Sequence, residues 1–242
     1  AVLLLKASLD QGESLEGTQV AISGAMALPH EVVVPFEAAS GGFLVEGYGL
    51  SECAPVLMAN PVATNRVPGT VGLPLPGTEC RVVNPDEPTQ DVAPGERGEL
   101  LVRGPQVFSG YYGKPEETEA VFVDGWFRTG DIVTIDEAGF VRIVDRIKEL
   151  IITGGFNVAP TEVENALRQH PAVEDAAVVG LPNDRSGEEV VAAVVATPGR
   201  DLDVEEIIEF ARGILTPYKV PRRIYIVDEL PRSLIGKVLR KQ

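Results

Sequence analysis

The sequence predicts an α/β protein in which the pattern of elements changes twice along the chain. Short apolar runs that end in glycine or serine come first, at residues 20–24 and 44–49, and are typical of buried strands. From Pro68 to Asp145, glycine and proline divide short alternating runs, and after Arg146 helical and strand patterns are mixed. These patterns predict the last strands of a larger domain, a barrel-like antiparallel unit and a small α+β domain.

The elements of the first two parts follow from local patterns. The runs at 20–24 and 44–49 are expected to deliver loops to one sheet edge, where binding sites usually lie. In the middle part, residues 98–103, 132–135 and 140–144 predict strands. The residues between the last two, Asp136-Glu-Ala-Gly139, predict a hairpin turn.

The last part begins with a predicted helix between two prolines. Pro160 suits a first helical turn and Pro171 ends the helix, while one face carries Val163, Ala166 and Leu167. The β-branched runs at 173–179 and 190–196 predict strands.

A second predicted helix in this part follows Asp203, which suits an N-cap. Its apolar stripe consists of Val204, Ile207, Ile208, Ala211 and Leu215. A strand at 224–227 and a short helix at 236–240 complete a domain of roughly ninety residues, a size that can fold as a unit.

Charge disfavours nucleic acid as a partner. The 36 acidic and 21 basic residues give a net charge of −15, which repels a polyanion on average. Seven basic residues nevertheless cluster at the end of the chain: Lys219, Arg222, Arg223, Arg232, Lys237, Arg240 and Lys241. A solvated surface is the simplest interpretation of this basic tail.

Composition also bears on metals, membranes and location. Cys53 and Cys80 lack the spacing of a disulfide framework or zinc site, and the two histidines, His30 and His170, are isolated, so we expect no metal bound through His or Cys and a cytoplasmic setting. No apolar run reaches the roughly 20 residues of a transmembrane helix. Because the chain begins at Ala1 within an apolar stretch, we expect a fragment of a longer protein; oligomeric state stays open.

The segment Glu46-Gly-Tyr-Gly-Leu-Ser-Glu52 combines flexible glycines with side chains that can bind a nucleotide. Two glycines flank Tyr48 and predict a tight turn that offers the ring to a purine. Ser51 can donate to a phosphate oxygen, and Glu52 offers the oxygen ligand that Mg²⁺ prefers. A purely structural Gly-Tyr-Gly turn is the alternative.

The segment Gly125-Trp-Phe-Arg-Thr-Gly-Asp131 is expected to end at the start of a strand. A carboxylate only accepts hydrogen bonds, so Asp131 suits both vicinal hydroxyls of a ribose. The alternative is a solvent-facing aspartate in a turn.

In the segment Val144-Asp-Arg-Ile-Lys-Glu-Leu-Ile-Ile-Thr-Gly-Gly-Phe-Asn157, charged residues precede an apolar strand and a double glycine. It is not a P-loop, because no Lys-Ser or Lys-Thr follows the glycines. Arg146 can bond ribose or phosphate, and Gly154 and Gly155 allow a thin ligand arm to pass closely. The alternative is a hairpin flanked by surface ion pairs.

The last segment, Leu230-Pro-Arg-Ser-Leu-Ile-Gly-Lys-Val-Leu-Arg240, carries Lys237 directly after a glycine. An ammonium group at this turn can neutralise charge that develops on a phosphoryl group. The alternative is an ordinary surface lysine.

In this order, the four segments resemble the later signature motifs of the adenylate-forming (AMP-binding) superfamily, which includes acyl-CoA synthetases and peptide-synthetase adenylation domains. The resemblance runs from Ser23 through Lys237, and four ordered motifs are more specific than any one of them. Residues 47–56, 69–78 and 104–112 most resemble the C-terminal half of bacterial long-chain fatty acid CoA ligases.

The resemblance implies a division into domains and a two-step reaction. Residues 1–145 would be the C-terminal part of the large AMP-binding domain, with a barrel-like subdomain at about 66–145; residues 146–148 would be a hinge, and residues 149–242 a mobile α+β domain. With ATP and Mg²⁺, a fatty acid would become an acyl adenylate, from which coenzyme A displaces AMP. The implied partners are small-molecule substrates.

The resemblance also implies roles for single residues of the large domain. They are Ser23, Gly24 and Ala25 at the adenine and acyl group; Gly47, Tyr48 and Gly49 at the purine; Ser51 at phosphate; Glu52 at Mg²⁺; and Asp131 at the ribose.

In the remaining chain, the resemblance implies that Arg146 assists at the ribose and that Lys148 is the hinge residue. Lys237 would be the catalytic lysine of adenylation, and Gly154, Gly155 and Phe156 would line the coenzyme A channel. Triphosphate, or more weakly the coenzyme A phosphates, would then account for the basic tail.

Two departures from the family pattern matter. Asp145 replaces the glycine often found before the ribose-binding arginine, which is a mild change. No segment matches the family's Ser/Thr/Gly-rich phosphate loop, so we expect this chain alone to be inactive in adenylation.

Two other functions are alternatives to a fatty acid CoA ligase. One is an adenylating ligase for an aryl acid or a carrier protein, and the other is a non-catalytic nucleotide-binding module.

Overall fold

The structure is a computed structural model that describes residues 10, 14–24, 28, 30–233 and 238–240. The chain divides into two compact units, Ala1–Ile143 and Val144–Gln242. Both contain helices and sheets, which confirms the predicted α/β class. Among the described residues, no helix has the length and apolar character needed to cross a bilayer.

The first sheet of unit 1 has four strands in the order β1-β2-β3-β4. Their bounds are Val20–Ser23 for β1, Phe43–Gly49 for β2, Val56–Ala59 for β3 and Leu73–Pro74 for β4. Helix α1 (His30–Ser40) connects the parallel strands β1 and β2, and its Val33 and Phe36 share a buried cluster with Leu44. The two strands predicted in this part are therefore confirmed.

The tight turn predicted around Tyr48 is wrong, because Gly47, Tyr48 and Gly49 all lie in the extended strand β2. Position 49 requires glycine for a different reason. A Cβ added there would lie 1.7 Å from the carbonyl oxygen of Pro55, whereas a Cβ at Gly47 would meet nothing closer than 3.4 Å. Gly49 therefore permits a close backbone approach where the register between β2 and β3 shifts.

We expect Gly49→Ala to lower the free energy of unfolding of unit 1 by about 2 kcal/mol or more, because the backbone at Pro55 would have to move. Gly47→Ala is the matched control on the same strand, and its cost should stay below about 1 kcal/mol. Thermal or denaturant unfolding of both variants measures the difference. Equal stability of the two variants would contradict this account of Gly49.

The second sheet of unit 1 is the barrel-like unit that the sequence predicts, with strand order β5-β6-β8-β7 and β9 paired to β8. The bounds are Glu79–Val83 for β5, Gly98–Arg103 for β6, Phe122–Val123 for β7, Trp126–Ile135 for β8 and Val141–Arg146 for β9. Helix α2 (Pro115–Ala120) precedes β7. The division between the two units falls within β9.

Strand β8 confirms one prediction and corrects another. The Asp136 carboxylate accepts from the backbone N–H groups of Ala138 at 3.0 Å and Phe140 at 2.9 Å, which closes the predicted hairpin turn between β8 and β9. The strand does not start at Asp131, however. It starts at Trp126, because pairing with β6 and β7 extends it backwards, and Asp131 lies in its middle.

Unit 2 is built on a sheet with strand order β11-β10-β13-β12, with β14 parallel to β13. The bounds are Ile151–Thr153 for β10, Phe156–Val158 for β11, Val173–Asn183 for β12, Gly187–Ala196 for β13 and Arg223–Ile226 for β14. These include the strands that the sequence predicts in this part, with β14 one residue earlier.

Two helices pack on this sheet, α3 (Pro160–Leu167) and α4 (Val204–Ile214). Asp203 caps α4 as predicted, because its side chain accepts from the N–H of Glu205 at 2.8 Å and of Glu206 at 3.3 Å. Side chains from both helices and from β10 to β14 form one buried cluster, which includes Val163, Leu167, Ile207, Ala211 and Ile224.

The sequence predicts a short helix at residues 236–240, of which the structure describes residues 238–240, and these three are not helical. Gly236 and Lys237 lie outside the described residues. Val238 instead forms an isolated antiparallel bridge with Arg232, and the N–H of Leu239 donates to the carbonyl of Pro231 at 2.8 Å. The residues just before 233 are therefore paired with the residues just after 237.

Candidate active site

The first pair of candidate residues in unit 1 is joined by a hydrogen bond. The hydroxyl of Tyr48, on β2, donates to Oδ2 of Asp131, on β8, across 2.5 Å. Asp131 is 2% exposed and Tyr48 is 8% exposed. A short bond between a phenol and a carboxylate in a buried setting holds both groups firmly in place. The alternative of a solvent-facing aspartate in a turn is therefore wrong.

Local bonds also fix the backbone that carries Asp131. Its N–H donates to Oγ1 of Thr129 at 3.1 Å, and that hydroxyl donates to the carbonyl of Leu100 on β6 at 2.8 Å. Gly130, between them, has a φ of 72°, in the left-handed region that favours glycine. The Thr-Gly-Asp order thus sets the direction of the Asp131 side chain within β8.

The end of β1 and the residue after it lie next to β2, the strand that carries Tyr48. Ser23 is paired with Glu46 in the parallel register of β1 and β2, and a Cβ added to Gly24 would lie 3.4 Å from the carbonyl oxygen of Gly47. The structure therefore brings Ser23 and Gly24 beside the segment that carries Tyr48. Ala25 lies outside the described residues.

Ser51 and Glu52 lie on a 3₁₀ turn, Ser51–Cys53, directly after β2. Ser51 is exposed, and Glu52 is half-buried. The hydroxyl of Tyr111 donates to Oε1 of Glu52 at 2.9 Å, and the N–H of Phe108 donates to the Glu52 carbonyl at 2.8 Å. Burial and the Glu52 carboxylate raise the pKa of Tyr111, so its hydroxyl keeps its proton.

Tyr111 is a residue that the sequence patterns did not assign to the site. It belongs to the segment 104–112, which was noted only for its resemblance to bacterial long-chain fatty acid CoA ligases. Its ring also packs edge-on against Phe108, with ring centroids 4.9 Å apart. The segment thus braces Glu52 from a position about sixty residues later in the chain, where no local pattern could have predicted it.

The two cysteine thiols keep their protons at neutral pH. Burial, and to a lesser degree the Glu52 carboxylate, raises the pKa of Cys53 to about 11, and burial raises the pKa of Cys80 to about 12. Within the described ranges, no three His, Cys, Asp or Glu side chains are grouped so that they could hold a metal ion.

In unit 2, the candidate residues lie on the chain from the end of β9 to β11. Arg146 ends β9, and Lys148 is exposed on the 3₁₀ turn Ile147–Glu149. Gly154 and Gly155 form the two-residue turn between β10 and β11, with φ values of 58° and 83°. Two left-handed residues in a hairpin of this length are typical of a type I′ turn, which glycine suits best.

Phe156 follows this turn and is 54% exposed. One face of its ring is stacked on Tyr218, with ring centroids 4.5 Å apart and an angle of 18° between the planes. Lys219, next in the chain, forms an ion pair of 2.6 Å with Glu162 of α3. The exposed ring of Phe156 is therefore held by Tyr218, and the residue after Tyr218 is attached to α3.

A buried polar cluster joins the end of β9 to helix α3. Asp145 is 4% exposed; its Oδ1 accepts from the N–H of Arg146 at 2.7 Å and its Oδ2 from the N–H of Thr161 at 3.2 Å. Glu164 of α3 is 5% exposed and accepts from the N–H of Val178 at 2.9 Å. Burial raises the pKa of both carboxyl groups. The sequence patterns assigned neither carboxyl group to the site, and Lys237 lies outside the described residues.

Known proteins are similar to this chain over most of its length. The AMP-binding enzyme family matches residues 2–112, and the AMP-binding enzyme C-terminal domain matches residues 162–237. A long-chain-fatty-acid–CoA ligase of Bacillus subtilis (strain 168) is 47% identical over 96% of this chain and 41% of its own length. A mitochondrial malonate–CoA ligase of Mus musculus is 40% identical over 94% of this chain and 42% of its own length.

The fold has solved counterparts as well. The o-succinylbenzoate CoA synthetase of Bacillus subtilis, solved with its acyl-adenylate intermediate, has a TM-score of 0.80 and 28% identity, and the match covers 99% of this chain and 49% of the synthetase. The chain spans about two fifths of the length of the curated relatives above. It belongs to the AMP-binding, or adenylate-forming, enzyme family and is similar to the C-terminal half of the family's long-chain-fatty-acid–CoA ligases.

Proposed function

We propose that this chain is part of an acyl-CoA ligase that activates a fatty acid with ATP and transfers it to coenzyme A. The observation that carries the proposal is the Tyr48–Asp131 pair, which fixes a carboxylate within one unit that also holds Ser23, Gly24 and Glu52. A fixed, acceptor-only group is what recognition of two vicinal hydroxyls requires. The 47% identical fatty acid ligase supports the choice of acid.

The reaction has two half-reactions. A carboxylate oxygen of the acid attacks the α-phosphorus of ATP and pyrophosphate leaves, which gives a mixed anhydride. The thiolate sulfur of coenzyme A then attacks the acyl carbon and AMP leaves with the bridging oxygen. Negative charge develops on the phosphate oxygens in the first half-reaction, so a positioned cation contributes most there.

The residues of unit 1 would bind and orient the nucleotide. Asp131 would accept from the ribose hydroxyls, Tyr48 would hold Asp131 and contact the purine, and the exposed Ser51 would donate to a phosphate oxygen. Ser23, Gly24 and Ala25 would lie at the adenine and acyl groups, and Gly47 and Gly49 would flank Tyr48 at the purine.

Glu52 fits a role as a ligand of Mg²⁺. Protein sites for this ion often supply one or two carboxylates, and the substrate phosphates and water supply the remaining oxygens. Glu52 offers one such carboxylate on a short turn, braced by Tyr111. When bound, Mg²⁺ would neutralise charge on the phosphates of ATP.

The residues of unit 2 would serve both half-reactions. Lys237 would supply the ammonium group for adenylation, and Arg146 would assist at the ribose. Gly154 and Gly155 would let the pantetheine arm pass, because the space beside both residues is open to at least 4 Å, and Phe156 would contact that arm. Lys148, within the hinge at 146–148, would allow the domain from residue 149 onward to change its position between half-reactions.

A ligase for another acid is the second candidate. It is favoured by the match to the o-succinylbenzoate synthetase, which extends over 99% of this chain, and by the identity of 40% to a malonate–CoA ligase. A ligase that loads a carrier protein and a non-catalytic nucleotide-binding module are further alternatives. Asp131, Glu52, Arg146 and Lys237 together favour an enzyme.

The test is to measure pyrophosphate release with ATP and Mg²⁺, first with this chain alone and then with the complete protein that contains it. We expect no steady release from the chain alone with a fatty acid, because its sequence includes no phosphate loop. The complete protein should prefer long-chain fatty acids over aryl acids and malonate, and coenzyme A over a phosphopantetheinyl carrier protein. Steady turnover by the chain alone, or a preference for another acid or thiol, would overturn the corresponding part of the proposal.

A further inference from the structure

We propose that Arg240 is a positioning residue for adenylation, which holds the chain directly after Lys237 on helix α3 and on the turn at Glu149. This inference rests on the proposed function, because it takes Lys237 as the lysine that serves adenylation. Its evidence comes from described residues on both sides of 234–237.

The guanidinium group of Arg240 binds Glu164 through two parallel hydrogen bonds. Nε donates to Oε1 at 2.9 Å, and Nη2 donates to Oε2 at 2.8 Å. Nη1 contacts the carboxylate of Glu149, and Nη2 lies 3.4 Å from Oγ1 of Thr161. Two-point binding of this kind fixes orientation as well as distance, which a lysine could not reproduce.

Glu164 is itself held firmly, so it can serve as an anchor. It lies on α3, its side chain is 6% exposed, and its Oε1 also accepts from the N–H of Val178 on β12. A carboxylate this deeply buried is costly unless a cation and hydrogen bonds accompany it. Arg240 provides that cation, with its own side chain 20% exposed.

A second arginine holds the chain on the other side of Lys237. Arg232 contacts the Asp175 carboxylate on β12 and forms the bridge with Val238, while the N–H of Leu239 donates to Pro231. The chain on each side of residues 233–237 is therefore attached by an arginine, to β12 on one side and to α3 on the other, and the two sides are paired with each other.

These contacts also revise the interpretation of the basic tail. Lys219 pairs with Glu162, Arg223 with Glu189, Arg232 with Asp175, and Arg240 with Glu149 and Glu164. Of the five basic residues of this tail that the structure describes, four thus have carboxylate partners within unit 2. Their charges are balanced internally, so they are poor candidates for binding triphosphate, and a structural role is favoured for them.

The short chain between Arg240 and Lys237 links this anchor to catalysis. Three residues span at most about 11 Å, so the Arg240 anchor limits how far the Lys237 backbone can lie from α3. Misplacing a catalytic group by about 1 Å can cost on the order of 100-fold in rate. Loss of the anchor should therefore lower adenylation more than it lowers transfer to coenzyme A.

The experiment compares Arg240→Met with Lys237→Ala and with the matched control Arg223→Met in the complete protein. Arg223 also pairs with a carboxylate of unit 2, but it belongs to β14 and not to the chain around Lys237. Acyl-adenylate formation and thiolysis of a supplied acyl adenylate are measured separately. We expect Arg240→Met to lower adenylation about tenfold and thiolysis less than about threefold, and Arg223→Met to change both less than about threefold.

Two further measurements separate positioning from folding. The double variant Arg240→Met/Glu164→Gln removes the buried charge together with its partner, so it should regain thermal stability while adenylation stays low. Amide hydrogen exchange at residues 238–240 should be faster in Arg240→Met than in Arg223→Met.

The outcomes distinguish this inference from the proposed function. If Lys237→Ala leaves adenylation unchanged, the proposed role of Lys237 fails, and this inference fails with it. If Lys237→Ala lowers adenylation while Arg240→Met and the double variant do not, or if they lower both half-reactions equally, the positioning role of Arg240 is overturned and the proposed function stands.

Discussion

Lys237→Ala is expected to lower the rate of acyl-adenylate formation in the complete protein by about 100- to 1000-fold. The reason is that an ammonium group placed at the phosphates stabilises charge that develops only in the transition state of the first half-reaction. Thiolysis of a supplied acyl adenylate should stay within about threefold of wild type, because the proposal assigns that cation to the first half-reaction alone. Single-turnover measurements of each half-reaction provide the test.

The control for this prediction is Arg223→Ala in the same tail. Arg223 pairs with Glu189 of β13, so its removal perturbs an ion pair of unit 2 without removing the proposed catalytic cation. Its effect on the two half-reactions should be similar. An equal loss of both half-reactions in Lys237→Ala would contradict the assignment of Lys237 to adenylation.

The second large effect is expected for Asp131→Asn, which should lower kcat/KM for ATP by about 100-fold. Hydrogen bonds to a charged group contribute about 1.5–3 kcal/mol each, and the proposal gives Asp131 up to two of them with the ribose. The amide keeps the shape of the side chain but lacks its charge. Calorimetric measurement of nucleotide affinity should show the same loss as the kinetics.

Tyr48→Phe is the matched control for Asp131→Asn. It removes the 2.5 Å hydrogen bond but leaves the carboxylate, so nucleotide affinity should fall only about tenfold or less. The thermal stabilities of both variants show how much of each effect comes from folding, since both residues are buried. If Asp131→Asn binds ATP as well as wild type, Asp131 is not the ribose ligand.

The sequence predicts those parts of the fold that local patterns determine. Helix α4 is an example, because both the N-cap at Asp203 and the apolar spacing from Val204 to Ala211 lie within one segment. The strands β12 and β13 are another, because β-branched runs favour strands wherever they lie in the chain. The hairpin turn at Asp136 likewise depends only on bonds within five residues.

The errors arose where a distant part of the chain decides the structure. Position 49 needs glycine because the Pro55 carbonyl passes close to it. In the sequence, a glycine required by such a close approach looks the same as a glycine required by a tight turn. Asp131 lies inside a strand because β6 and β7 pair with the residues before it.

Site residues that the sequence did not reveal have the same origin. Tyr111 reaches Glu52 across 59 positions, and Arg240 reaches Glu164 across 76 positions. A charge run at the end of a chain gives no sign of which carboxylates will lie opposite it. The buried acceptors Asp145 and Glu164 were therefore missed, although each carboxylate is visible in the sequence.

The two cysteines make this chain convenient for spectroscopic labelling. Burial raises the pKa of Cys53 to about 11 and that of Cys80 to about 12, so both thiols stay protonated at neutral pH. Maleimide dyes react through the thiolate, so both native side chains should be nearly silent toward them. One cysteine introduced at an exposed position such as Tyr112 would then carry a fluorophore without removal of either native thiol.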